Sequence, residues 1–191
     1  MKRKQLENLL SNVEAFPRPK LLLEQYVTSA EIAASALYTM DVTFDEVKGK
    51  TIADLGCGTG MLMLGACAQG ADYVVGFDID FEALEVCRQN FENFASFRNA
   101  DLVQYDVLHL ADAPRDRLCK AFEVVVMNPP FGTKKNVGTD MEFLKAGINL
   151  AKQSVFSMHK TSTRERFRVC ENASNGDRCC EYIDTHFMQY A

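Results

Sequence analysis

The sequence has no apolar run long enough to span a bilayer, so a function as an integral membrane protein is not expected. The basic residues Lys2, Arg3 and Lys4 are not followed by an apolar core, and we therefore expect no secretory signal. Internal repeats are also missing. Hydrophobic residues make up 47% of the 191 residues and charged residues 25%, which is typical of an ordinary globular domain. This length suits one α/β domain and leaves little room for a second.

A disulfide framework is not favoured, because the seven cysteines are odd in number and scattered through mostly apolar patterns. Reduced thiols in the nucleus or cytoplasm fit them better, and we expect the protein there. Cys170, Cys179, Cys180 and His186 could suggest a metal site, but their spacing matches no common zinc pattern. We therefore expect no metal.

Short apolar runs rich in β-branched residues alternate with helical patterns along most of the chain. Strands are predicted at residues 51–55, 73–77, 101–105, 122–127 and 154–158, and helices at about 29–40, 61–68, 81–94 and 140–152. This alternation predicts a parallel sheet with right-handed crossovers, which is an α/β, Rossmann-like fold with helices on both faces. An amphipathic helix within residues 1–15 and a partly extended stretch at 20–28 precede it.

The pattern stops after Ser162, where the sequence becomes polar, charged and rich in cysteine without strand alternation. We therefore predict one domain over residues 1–162, followed by a divergent and poorly ordered tail over residues 163–191.

A glycine-rich loop follows the first predicted strand, with glycines at 56, 58 and 60. Glycines there let the backbone turn tightly and approach a ligand closely. Asp54 lies two residues before the first of them, where its carboxylate can organise the loop or meet a cationic amino acid group. Asp78 ends the second strand and can accept from both ribose hydroxyls. Asp106 ends the third, positioned to accept from an adenine amino group.

This series of acids at successive strand ends resembles the class I S-adenosylmethionine-dependent methyltransferases, and implies that cofactor. An NAD site begins with similar elements and is the alternative. Its pyrophosphate, however, favours a Gly-x-Gly-x-x-Gly arrangement at a helix N-terminus. Here the third glycine follows after one residue instead of two.

Asn128, Pro129, Pro130 and Phe131 follow the fourth predicted strand, and we call residues 128–131 the catalytic turn. The prolines stop the strand and stiffen the turn at the carboxyl end of the sheet, where open α/β sheets bind ligands. Such a turn resembles the signature of amino methyltransferases, which act on adenine N6, guanine N2 or a glutamine amide. The resemblance implies that Asn128 and the Pro129 carbonyl accept from the amino group, while Phe131 stacks on the base. The alternative is a loop that happens to contain two prolines.

The formal net charge of -5 argues against binding nucleic acid by bulk electrostatics. Basic residues are locally dense at Lys134 and Lys135, and again at Lys160, Arg164, Arg166 and Arg168. Solvated surface is the default interpretation of such runs. Because they come after the catalytic turn, a phosphate contact is the alternative.

A closer resemblance, to the methyltransferase-like protein 5 family, covers residues 2–166. It is carried by PKLLLEQY at 19–26 with Thr28, ADLGCG at 53–58, GFDID at 76–80, MNPPFGTK at 127–134 and KTSTRE at 160–165. The resemblance implies methylation of adenine N6 in 18S ribosomal RNA, by a heterodimer with a small zinc-binding activator protein. It also implies that Gln25 and Thr28 belong to a segment closing over the cofactor, which Gly56, Thr59 and Met61 touch.

The tail departs from this family, whose members continue with a further helix and a terminal pair of strands. Without that pair, the fifth strand is expected to be an exposed sheet edge, and the chain to be poorly stable or inactive. Three hypotheses therefore remain: an RNA adenine-N6 methyltransferase, a protein-glutamine or guanine-N2 methyltransferase using the same turn, and an inactive truncated form serving as a binding module.

Overall fold

Six parallel strands form one sheet in this computed structural model, which describes residues 1–94, 97–111, 118–130, 136–158 and 180–183. The strands are β1 (Thr51–Leu55), β2 (Tyr73–Asp78), β3 (Ala100–Gln104), β4 (Phe122–Met127), β5 (Ala151–Met158) and β6 (Cys180–Ile183). They lie in the order β3-β2-β1-β4-β5-β6, so the chain reverses its direction of growth after β3. The predicted parallel α/β fold is confirmed.

The helices are α1 (Arg3–Leu10), α2 (Ala30–Phe44), α3 (Met61–Gln69), α4 (Phe81–Asn93), α5 (Leu108–Ala111) and α6 (Thr139–Leu150), with a short 3-10 helix at Leu21–Leu23. Helix α2 begins where predicted, because the Ser29 side chain accepts from the Ile32 N–H and caps it. It runs to Phe44, beyond the predicted end at residue 40. Over the described ranges, no helix is both long and apolar enough to cross a membrane.

The core is divided between the two faces of the sheet. Ile52, Val124 and Val126 belong to a cluster with α1, α2 and α3, whereas Leu55 and Met127 belong to one with α6. Residues on both faces of β1 and β4 are therefore buried, which explains their nearly continuous apolar sequences.

Several element boundaries and two short helices differ from the predictions. A helix was predicted to residue 152, but α6 ends at Leu150 and β5 begins at Ala151. The reason is that Ala151 already has extended φ and ψ angles. Helix α5 has four residues, which is too few for a helical period to show in the sequence. Within residues 20–28, the 3-10 helix interrupts the predicted extended stretch, and Glu24 after it has a left-handed φ of 49°.

The predicted exposure of the β5 edge is wrong along part of its length. β6 pairs with β5 in parallel, with Val155 opposite Cys180 and Met158 opposite Ile183. Strand pairing uses backbone groups, so a segment can join a sheet without showing side-chain alternation. Beyond β5, the described residues contribute this one strand. Residues 159–179 and 184–191 lie outside the described residues, and the predicted disorder of the tail is untested there.

Candidate active site

A cleft of about 230 Å³ opens at the carboxyl ends of β1, β2 and β4. The sheet register places Leu55 beside both Phe77 and Met127, so the residues that follow these strands meet at one edge. The cleft is lined by all eight predicted cofactor residues and by two of the catalytic turn: Gln25, Thr28, Asp54, Gly56, Thr59, Met61, Asp78, Asp106, Asn128 and Pro130. Pro129 is buried outside this lining, and Phe131 lies outside the described residues.

The glycine loop (residues 56–60) is fixed by hydrogen bonds to β2. The Gly56 N–H donates to the Phe77 carbonyl at 2.8 Å, and the Gly58 N–H donates to Asp78 Oδ2 at 2.8 Å. Gly58 has a φ of 54°, and a Cβ there would lie 2.9 Å from the ring of Phe16. A side chain at this position would therefore be strained and would collide with the N-terminal part of the chain.

Asp78 both organises the loop and faces the cleft. Its second oxygen, Oδ1, accepts from the Asp80 N–H at 2.8 Å. Burial raises the pKa of Asp78, while the N–H groups of Asp80 and Gly58 partly oppose that rise. Because each carboxylate oxygen can accept a further bond, Asp78 can still receive ligand hydroxyls.

Asp54 is almost completely buried, and neither of its carboxylate oxygens has a hydrogen-bond partner of normal geometry among the described residues. Burial, and then the charge of Asp78, raise the pKa of Asp54 to about 8, and the Met63 N–H offsets part of this. A buried acid without a partner is unfavourable until a cation approaches it. The ammonium of a methionine group would be such a cation, so the residues present fit S-adenosylmethionine.

Both ends of the Gln25 amide are held, one by Lys20 and the other by Asp80, which caps α4. Its Oε1 accepts from the Lys20 N–H at 2.8 Å, and its Nε2 donates to Asp80 Oδ2 at 2.6 Å. Lys20 Nζ also pairs with Asp80 Oδ1 at 2.6 Å. Burial works against ionisation of Asp80, but Lys20, Gln25 and the Glu82 N–H together lower the pKa of Asp80.

Asp80 and Asn90 are two site-supporting residues that the sequence reasoning missed. Asp80 could have been found as an N-cap, since it directly precedes a helical pattern and accepts from the Glu82 N–H. Asn90 is fully buried on α4, where it exchanges hydrogen bonds with the Glu14 backbone and donates to the Thr59 carbonyl. No pattern in the sequence marks this amide.

The catalytic turn is joined to the N-terminal part of the chain. Asn128 Nδ2 donates to Thr28 Oγ1 at 2.9 Å. The other end of this amide, Oδ1, is buried without a partner among the described residues. Asn128 therefore has a free acceptor in a cleft that is also lined by acids suited to a nucleoside cofactor.

Comparison with known proteins places this geometry in a family. The family model of the methyltransferase small domain matches residues 30–158. The rRNA N(6)-adenosine-methyltransferase METTL5 of Danio rerio is 49% identical over 90% of this chain and 81% of its own length. The chain belongs to the METTL5 family. The Drosophila melanogaster rRNA N(6)-adenosine-methyltransferase Mettl5 is 43% identical over 86% of this chain and 75% of its own length.

Among solved structures, the proposed RNA methyltransferase PH1948 of Pyrococcus horikoshii is similar with a TM-score of 0.75. It is 32% identical, and the match covers 90% of this chain and 80% of that protein. The resemblance predicted from sequence motifs is thus confirmed, and METTL5 membership removes the NAD alternative. The roles of individual cleft residues stay predictions.

Proposed function

We propose that this chain transfers a methyl group from S-adenosylmethionine to N6 of an adenine in ribosomal RNA, specifically the 18S RNA. The observation that carries this proposal is Asn128 Oδ1, which has no partner among the described residues and lies in the same cleft as Asp54, Asp78 and Asp106. Membership of the METTL5 family supports adenine N6 over the other amino groups that such a turn can hold.

Each of the cleft residues binds a different part of the cofactor in this proposal. Asp54 meets the ammonium of the methionine group, and the glycine loop with Thr59 and Met61 lies beneath it. Asp78 accepts from the ribose, and Asp106 from the adenine amino group. Gln25 and Thr28 belong to the segment that covers these groups. When bound, S-adenosylmethionine supplies a methyl group on a sulfonium centre that is already primed to leave.

The catalytic turn prepares the acceptor nitrogen. The amino group of adenine is a poor nucleophile, because its lone pair is delocalised into the ring. Asn128 Oδ1 and the Pro129 carbonyl accept hydrogen bonds from the two N–H groups. These hydrogen bonds favour a pyramidal nitrogen whose lone pair points at the methyl group. Phe131 is predicted to stack on the base. Catalysis then consists mainly of positioning for in-line transfer.

The test is transfer of labelled methyl groups to small-subunit rRNA and, separately, to total protein. We expect label in N6-methyladenosine, and a fall of about 100-fold for Asn128→Ala, as for loss of a group acting on the transition state. Asn12→Ala is the matched control, because Asn12 is exposed on the surface and bonds only to carbonyls of α1. Label in protein or guanine would contradict the proposal. Cofactor binding without any transfer would favour the binding-module alternative.

The proposal includes a heterodimer with the small zinc-binding activator. Among the described residues β3 pairs with β2 alone, and Asp101, Val103 and Gln104 on it are exposed. Such an edge can accept a strand from a partner. The transfer assay is therefore run with and without the activator, which is expected to raise the rate.

Free thiols at Cys57, Cys67, Cys87 and Cys119 support the nuclear and cytoplasmic location that completes the proposal.

A further inference from the structure

A hydrogen bond between Thr28 and Asn128 holds the Asn128 amide at the cleft. Both side chains are half-buried, and 100 positions of sequence separate them. A carboxamide has nearly the same shape in its two orientations, so packing alone does not distinguish them. In this structure the Thr28 hydroxyl accepts from Nδ2, and Oδ1 has no partner among the described residues. Since a hydroxyl can also donate, this bond fixes the place of the amide, and N–H groups of a substrate would favour the orientation that turns Oδ1 towards them.

We propose that Thr28 is a positioning residue for methyl transfer, which anchors the Asn128 carboxamide beside the substrate amino group. This inference rests on the proposed function, since an acceptor is needed only if the substrate presents N–H groups. In the reversed orientation, Nδ2 would meet those N–H groups donor against donor. Each molecule with a reversed amide would be unable to transfer the methyl group.

The position of Thr28 is itself fixed from both sides. Ser29, the next residue, caps α2, whose residues Ala33, Ala36 and Leu37 are fully buried. On the other side, Gln25 is tied to Asp80. The hydroxyl that holds Asn128 is therefore carried by anchored backbone, which is what a positioning group requires.

Replacement of Thr28 by two residues of similar shape separates positioning from packing. Thr28→Val keeps the branched shape and removes the hydroxyl, whereas Thr28→Ser keeps the hydroxyl. For Thr28→Val we expect kcat to fall about tenfold, as for loss of one hydrogen bond, which is a larger factor than any loss of affinity for the methyl donor, whose cleft Thr28 also lines. Thr28→Ser should retain most of the wild-type kcat. In the Asn128→Ala background, Thr28→Val should cause no further loss, because the residue it positions is gone.

A second measurement does not depend on activity. In NMR spectra, the Asn128 side-chain amide signals are assigned by their disappearance in Asn128→Ala. We expect Thr28→Val to move these signals and to speed their hydrogen exchange about tenfold, and Thr28→Ser to leave both nearly unchanged.

The outcomes distinguish this inference from the proposed function. Two results for Thr28→Val would show that Thr28 acts on the cofactor or on packing. One is a loss of affinity for the methyl donor in proportion to the loss of kcat. The other is an equal loss of kcat when the replacement is made in the Asn128→Ala background. Unaltered Asn128 amide signals in Thr28→Val would also overturn the inference. If the wild-type chain methylates no RNA although the signals change as expected, the proposed function fails while the hydrogen bond stands.

Discussion

Asp54 shows at the scale of one residue how a binding site can lower the stability of the fold that carries it. The residue is buried at the end of β1, beside the acid Asp78, and no described residue makes a hydrogen bond of normal geometry to its oxygens. In the folded chain its pKa is about 8, against 3.8 for an ordinary aspartate. Such a group suits the cation-binding role predicted for it, because its ionised form destabilises the free protein.

The sign of the resulting pH dependence follows from these two pKa values. From about pH 4 to about pH 8, the unfolded chain has released the Asp54 proton while the folded chain keeps it. The contribution of Asp54 to the free energy of unfolding therefore falls as the pH rises through this window. It is least unfavourable below pH 4 and most unfavourable above pH 8.

Asp54→Asn should remove this dependence, since the amide is neutral at every pH. We expect the variant to gain stability over the wild type as the pH rises, by at least about 1.4 kcal/mol more at pH 8 than at pH 5, the equivalent of one pKa unit. Urea unfolding at the two pH values measures it. The same variant should bind S-adenosylmethionine more weakly, by calorimetry. An equal effect on stability at both pH values would contradict the raised pKa.

At the scale of elements, residues 14–28 form an N-terminal segment that is attached to three parts of the site. Glu14 is bonded to Asn90 on α4, Gln25 to Asp80, and Thr28 to Asn128 of the catalytic turn. The segment also leaves Leu21 and Leu22 largely exposed, so few of its apolar groups hold it in place. Its order therefore depends on a few polar contacts, and we expect it to open more easily than the sheet.

Asp80→Asn tests this dependence. The Asn oxygen can still accept from the Glu82 N–H and cap α4, but its Nδ2 would oppose the Gln25 Nε2 as donor against donor. We expect faster tryptic cleavage after Lys20, by about threefold or more, and weaker binding of S-adenosylmethionine. Glu7→Gln is the control, because it breaks the Lys4–Glu7 pair on α1, whose Lys4 side chain is exposed. Equal cleavage rates in the two variants would mean that Asp80 does not hold the segment.

At the scale of the whole molecule, β6 extends one side of the sheet by a strand. It covers the β5 backbone from Val155 to Met158, which would otherwise be an unpaired edge next to the buried Phe156. Unpaired edges promote association between chains. The divergent end of this chain thus supplies a strand where the family resemblance predicted a missing pair.

Two deletions measure the contribution of β6. Removal of residues 180–191 takes the strand away, and removal of residues 184–191 leaves it. We expect the longer deletion to have the lower Tm, by about 2–4 °C for each kcal/mol of pairing lost, and more aggregation in light scattering. If both deletions melt alike, β6 does not stabilise the sheet. Cooperative unfolding of the full chain, with further stabilisation by S-adenosylmethionine, would contradict the expectation that this chain is poorly stable.

Much of the fold could be predicted because local sequence patterns report burial directly. β1 and β4 have the predicted bounds, since both are short apolar runs that end at a glycine loop or at prolines. The eight predicted cofactor residues reach one cleft because they follow adjacent parallel strands or come from motifs of the family. Such patterns are missing from α5, the 3-10 helix and β6. Neither α5 nor β6 was predicted, and the 3-10 helix lies where an extended stretch was predicted.

The sequence by itself determined the alternation of parallel strands and helices, the acids at the strand ends and the turn that is predicted to hold an amino group. These are properties of neighbouring residues. Only the tertiary structure decided that Asn128 bonds to Thr28, that Gln25 is held by Asp80, and that no described group makes a hydrogen bond of normal geometry to Asp54. The physical reason is that hydrogen bonds and desolvation depend on distances between groups far apart in the chain, and folding alone sets those distances.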